Sequence, residues 1–157
     1  MAANDSRSGM VQLSRHFTLA EMTASDAARA LGQANTPSAA HLANLRVLAL
    51  GMEQVRAILG DRPITIESAY RARRVNEAVG GVPSSAHARG LAADFTVAGL
   101  TAPAAAHKLD SSWLVFDQLI LEVSRGVCHL SFAPELRREV WTQRGGPGTA
   151  TVKGLPR

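Results

Sequence analysis

Ser85-Ala-His-Ala-Arg-Gly-Leu-Ala-Ala-Asp94 sets an imidazole and a carboxylate seven positions apart, with Gly90 between them. Glycine enters conformations closed to other residues, so Gly90 lets the loop carrying His87 fold back toward the segment after it. That segment, Leu91-Ala-Ala-Asp-Phe-Thr-Val97, reads as a strand. Its side chains alternate, so Ala92, Asp94 and Thr96 share one face while Leu91, Ala93 and Phe95 share the other. Asp94 therefore has small neighbours and room for an ion beside it. A neutral imidazole and a carboxylate are both ordinary zinc ligands, and a catalytic zinc takes three protein groups and keeps a fourth position open. For the pair alone, a surface histidine and a turn-facing carboxylate remain an equally open reading.

A third ligand must come from elsewhere in the chain. Leu119-Ile-Leu-Glu-Val-Ser-Arg-Gly-Val-Cys-His-Leu-Ser-Phe132 reads as most of a hairpin, with strands over 118–123 and 127–132. On the second strand His129 and Ser131 share a face with Val127, and Cys128, Leu130 and Phe132 face the other way. Cys128 is then a small buried hydrophobe rather than a ligand. With Arg125-Gly126 at the turn, Val123 pairs with Cys128 and Glu122 stands directly opposite His129, with Cα atoms roughly 4.5–5.5 Å apart. There the carboxylate can take a proton from an attacking water and deliver it to a leaving amine. The bland alternative is a solvated hairpin charge paired with Arg125.

Around this pair of segments the pattern is that of one mixed domain. Thr18 and Glu21 make a capping box that starts a short helix. Asn35-Thr-Pro-Ser38 is a turn ending in a cap. From it Leu42, Leu45, Leu48, Met52, Val55 and Leu59 recur at helical spacing up to Gly60, with Leu50 off the stripe. Pro63-Ile-Thr-Ile-Glu-Ser68 alternates as a strand, Arg71 to Gly81 is a short helical or looped excursion, and Gly80-Gly81 with Pro83 marks an irregular turn. Residues 102–109 read as a helix that tolerates Pro103 in its first turn. Residues 1–14 are expected to be flexible and 145–157 to be a loop or extended end, with 1–157 forming a single domain.

Composition narrows the classes. At 157 residues with 46% hydrophobic content, one core can be buried. There is no apolar run long enough to span a bilayer, and the polar opening lacks the apolar core of a signal peptide, so synthesis as a soluble cytosolic protein is expected. The single Cys128 excludes an intramolecular disulfide and any multi-cysteine zinc knuckle. The net charge of +4 is not gathered into a stripe, and aromatic residues at 4% are too few to interleave as base-stacking platforms, so nucleic acid is not the expected partner. Such a mild basic balance suits an anionic polymer such as a cell wall. His16, His41 and His107 lack a matching carboxylate spacing and read as structural or exposed. Trp113, Phe116 and Trp141 read as core or edge packing in preference to a sugar platform.

The sequence resembles the M15 family of zinc D,D-peptidases, related in fold to hedgehog signalling domains, and especially its short phage and prophage members. The likeness runs through His16-Phe-Thr-Leu-Ala-Glu21, Ile64-Thr-Ile-Glu-Ser-Ala-Tyr-Arg71, Asn76-Glu-Ala-Val-Gly-Gly81, the Ser-x-His-x-x-Gly-x-Ala-x-Asp motif and His129-Leu-Ser-Phe132. It implies an α+β fold, a small antiparallel sheet flanked by helices. It further implies His87, Asp94 and His129 as zinc ligands, Arg71 beside the substrate, and Ser85 shaping the pocket. By its position Arg71 leaves the end of a strand, where a guanidinium can hold a carboxylate or a developing oxyanion.

The expected activity is therefore zinc-dependent hydrolysis of peptide bonds in peptidoglycan stems or cross-links, of the D,D-carboxypeptidase or endopeptidase type, in a phage or prophage endolysin. Glu122 and Arg71 would carry the catalysis, and a holin or virion proteins would bring the chain to the wall or periplasm. The competing class is a non-catalytic zinc-containing wall-binding or virion structural module. A metal-free nucleic-acid binder is the third.

Overall fold

The computed structural model describes residues 10–157. The elements, in chain order, are α1 (Leu19–Thr23), α2 (Asp26–Leu31), α3 (Ala39–Ile58), β1 (Ile64–Ser68), α4 (Arg73–Ala78), α5 (Ala86–Arg89), β2 (Ala92–Val97), α6 (Ala102–Asp110), β3 (Gln118–Glu122), β4 (Val127–Ser131), β5 (Glu139–Gln143) and β6 (Thr151–Lys153). The strands form one sheet in the order β1-β2-β4-β3-β5-β6. All neighbours are antiparallel except β3 and β5, which run parallel. This is the α+β architecture expected, enlarged on one side by two strands that the sequence pattern does not announce.

Local rules account for most elements. Thr18 caps α1 in the full capping box with Glu21, and Ser38 caps α3. A side-chain cap supplies a partner to an N–H that the helix itself leaves unpaired. The apolar stripe of α3 buries Leu45, Leu48, Met52, Val55 and Leu59, whereas Leu50, off the stripe, is exposed. Helix α2 is an addition to the expected elements, although Ser25 at its start and the left-handed Gly32 at its end are ordinary boundary signals.

Strand alternation assigns the two sheet faces. Phe95, Val97, Leu119, Leu121, Cys128 and Leu130 point into one core with α3 and α6 residues such as Met52, Val55, Ala105 and Leu109. Cys128 is buried as expected, and burial pushes its thiol up to about 12, which keeps it protonated. Helix α3 comes so close to the sheet that a Cβ on Gly51 would lie 2.5 Å from the Phe132 ring. The opposite face carries Asp94, His129, Ile120 and Trp141.

The chain ends differ in part from the expectation. Of the opening stretch expected to be flexible, residues 1–9 lie outside the described residues. Residues 12–14 are tied down: Gln12 bridges to Thr18, Leu13 packs on the core, and the Ser14 hydroxyl donates to Glu53 at 2.6 Å. Within 145–157, expected as loop or extended end, residues 151–153 form β6, and Leu155 returns to the core. Of the aromatic residues expected in core or edge packing, Phe116 is fully buried, but Trp113 is 66% exposed. His16 contacts Glu53, His41 contacts the Tyr70 hydroxyl, and His107 contacts the Pro156 carbonyl, three structural roles for the three unassigned histidines.

Candidate functional site

The glycine between His87 and Asp94 does what its type permits. His87 sits on α5, a single helical turn in place of the expected loop, with the Ser85 hydroxyl accepting from the His87 N–H at 3.2 Å. Gly90 ends that turn at φ +75° and reverses the chain into β2. Close packing adds a second demand, because a Cβ there would meet the His41 carbonyl at 3.0 Å and Leu45 at 3.2 Å. Gly126, at φ +63° in the β3–β4 turn, has nothing within 4 Å of such a Cβ. Gly90→Ala is therefore expected to cost more than Gly126→Ala, which bears only the left-handed penalty of about 1–2 kcal/mol. Paired thermal melts test this, and equal losses would refute the crowding argument.

Strand pairing then brings the third residue in. Asp94 on β2 is the direct register partner of His129 on β4. His87 Nε2 lies 3.1 Å from Asp94 Oδ1 and 3.2 Å from His129 Nδ1, and His129 Nδ1 lies 2.9 Å from the same carboxylate oxygen. Residues forty-two positions apart thus point three donor atoms at a common centre.

The triangle suits a small divalent ion. Four-coordinate zinc with bonds of about 2.0–2.1 Å sets its ligand atoms roughly 3.3–3.4 Å apart, so the three atoms need to spread by only a few tenths of an ångström. Proton positions argue the same way. The Ala69 carbonyl accepts from His87 Nδ1–H at 2.7 Å. In the neutral ring this leaves Nε2 with only a lone pair to turn toward Asp94 and His129. Burial pushes the His87 pKa down, outweighing the nearby Asp94 carboxylate, and so favours that neutral ring. Burial alone would raise the Asp94 carboxyl, but any proton carried by the facing His87 and His129 rings draws it well below the ordinary range, so Asp94 is the ionised partner. An ionised carboxylate and a lone pair in contact call for a cation between them.

Arg125 completes the support. One of its guanidinium nitrogens, Nη1, donates to Asp94 Oδ2 at 3.0 Å and to Glu122 Oε2 at 2.7 Å. It thereby fixes the second Asp94 oxygen and leaves Oδ1 for the histidines. Sequence alone presents Arg125 only as a turn residue or a partner for Glu122, because nothing local links it to Asp94, thirty-one positions away.

Glu122 requires a correction. It pairs with Val127, and the residue opposite His129 is Ile120. The turn takes four residues, 123–126, so the register is displaced by two from the one expected. A shift of two preserves the side-chain face, whereas a shift of one reverses it. Glu122 therefore shares the face of His129, diagonally and one pleat along, with its side chain 13% exposed and engaged by Arg125. The base reading and the bland reading each hold a piece of this: the carboxylate is on the site face, and it is paired with Arg125.

Arg71 also reaches the site. Its backbone N–H donates to the His87 carbonyl at 3.1 Å, and Nε is buried with no hydrogen-bond partner among the described residues. Burial draws the guanidinium pKa down, and the closeness of Asp94 and Glu122 draws it up. Ser85 spends its hydroxyl on the α5 cap, so its visible role is to fix the turn that carries His87. Asn76, from the glycine-rich motif, is buried and donates to the Val82 carbonyl at 2.8 Å, holding the loop that leads into Ser85.

Comparison with known proteins identifies the family. A family model described as Peptidase M15 matches residues 15–131, about three quarters of the chain and all of the residues just described. No curated protein sequence matches the chain. With that match over the triad, the turn and the hairpin, the chain belongs to the Peptidase M15 family, a family of metallopeptidases.

Proposed function

We propose that this chain is a zinc-dependent peptidase that cuts peptide bonds in peptidoglycan stems or cross-links. The observation that carries the reading is the convergence of His87 Nε2, Asp94 Oδ1 and His129 Nδ1, each within 3.2 Å of the others. These three atoms would hold the ion. Bound there, zinc would supply Lewis-acid polarisation of the scissile carbonyl and a water of lowered pKa.

The chain's own groups supply the rest. The Ala69 carbonyl fixes the His87 tautomer and Arg125 fixes Asp94, the outer contacts that orient metal ligands. Glu122, held by Arg125 at Oε2, would take the proton of the attacking water at Oε1 and return it to the leaving amine. Arg71, whose guanidinium stands close to Asp94 and Glu122, would bind a stem carboxylate or the oxyanion that develops as the carbonyl is attacked. Ser85 would shape the pocket through the α5 turn.

As part of this reading the protein acts as a phage or prophage endolysin of the D,D-carboxypeptidase or endopeptidase type. It would be made in the cytoplasm and reach the wall through a holin or within a virion. Among the described residues no helix is long and apolar enough to cross a membrane. One observation favours a second reading, a non-catalytic zinc-containing wall-binding or virion module: Glu122 is offset from His129 and tied to Arg125.

Incubation of the purified chain with isolated cell walls tests the proposal, with fragments read by mass spectrometry. Zinc-loaded protein is expected to release peptide fragments, chelation to abolish release, and added zinc to restore it. Absence of zinc-dependent fragments would remove the enzyme reading, and the masses of any fragments would name the bond cut.

A further inference from the structure

We infer that Ile120 and Trp141 form a positioning shelf for the substrate's peptide, beside the metal-binding triad on the same face of the sheet. The inference rests on the peptidase reading above and assigns it a binding surface. One lateral row of register partners crosses the whole sheet: Ser68, Asp94, His129, Ile120, Trp141 and Lys153. Asp94 and His129 are its second and third members, and His87 reaches them from α5. The row then continues through Ile120 and Trp141 to Lys153 at the edge.

Burial confirms the facing independently of register. Leu119 and Leu121, on either side of Ile120, are fully buried in the core, so Ile120 lies on the opposite face. Val140 packs on the core and Thr142 is buried with its hydroxyl donating to the Gly154 carbonyl, so Trp141 lies between them on the triad's face. The chain after β6 leaves by the core side, where Leu155 packs and the Pro156 carbonyl meets His107 of α6. Trp141 remains partly exposed.

Dimensions and chemistry fit a short acidic peptide. Strands stand about 4.7–4.9 Å apart, which sets Trp141 roughly 10 Å from His129, and an extended peptide rises about 3.3 Å per residue. A stem lying along the row would therefore meet Trp141 about three residues from the bond at the triad. Ile120 and the indole give an apolar floor for alanyl methyl groups and backbone CH. Lys153, exposed at the end of the row, gives a cation for a stem carboxylate. Glu139, on the same face, is engaged by Gln118 at 2.9 Å, by Arg137 at 3.5 Å and by the Trp141 indole N–H, so its charge does not stand bare beside the shelf. Trp141 and Lys153 lie beyond residues 15–131, the stretch that matches the family, whereas Ile120 lies within it.

The chain has two tryptophans, which makes a direct test. Trp113, 66% exposed in the loop between α6 and β3, serves as an internal reference. A zinc-loaded Glu122→Gln chain, labelled at the indole nitrogens and assigned with Trp141→Phe, is titrated with a synthetic sugar-free stem peptide. The Trp141 resonance is expected to shift saturably while that of Trp113 stays in place. In the otherwise native enzyme, Trp141→Ala is expected to raise KM for that peptide about tenfold or more with kcat nearly unchanged, and Trp141→Phe to restore most of the loss. No shift at Trp141, or an effect confined to glycan-bearing fragments, would overturn the shelf. Should the native protein cleave no wall peptide, the peptidase reading fails by itself, and the titration still decides whether Trp141 contacts the stem.

Discussion

Exchange of Glu122 for glutamine is expected to leave the zinc content at one per chain and to lower turnover of wall peptides by about 10²–10⁴-fold, the usual contribution of a positioned acid or base. Glutamine keeps the shape of the side chain and can still meet Arg125, so the fold and the triad are spared. What disappears is the capacity to hold a proton between the attacking water and the leaving amine. The measurement is kcat on a defined stem peptide beside metal analysis of both proteins. Full activity in the variant would move the base elsewhere on the site. Equal inertness of both proteins, each with zinc bound, would favour the wall-binding module instead. The displaced register makes this experiment more pointed, because Glu122 must act from a diagonal position while tied to Arg125.

A second large effect is expected at the triad. Added zinc stabilises the native chain because the unfolded chain lacks the assembled site. At a hundred times the dissociation constant the gain is about 2.7 kcal/mol, a rise in melting temperature of roughly 5–10 °C for a domain of this size. His129→Ala and His87→Ala are both expected to abolish that rise. They differ without metal. His87 is 4% exposed and donates to the Ala69 carbonyl, so its removal leaves a buried acceptor unpaired and costs a further loss of about 1–3 kcal/mol. The His129 side chain is 13% exposed and leaves a smaller defect in the metal-free protein. Melting curves of both variants with and without zinc check this, and a zinc-dependent rise that survives in either variant would remove that residue from the ligand set.

The sequence by itself determined the elements whose causes are local. Capping at Thr18 and Ser38, the apolar stripe of α3 and the alternation in β2 and β4 follow from neighbours a few positions apart. The same alternation, with the motif around Gly90, was enough to single out His87, Asp94 and His129 as residues able to meet. It also put Glu122 on the correct face, since a hairpin shifted by two residues keeps its parity.

Only the tertiary structure decided which residues stand opposite one another. A four-residue turn in place of two moved Glu122 from His129 to Val127 and gave its place to Ile120. The hydrogen bond from Arg125 to Asp94 and the parallel pairing of β5 with β3 join segments far apart in the chain. Pairings of that kind are chosen by the packing of whole strands against one core, and no short window of sequence contains that choice.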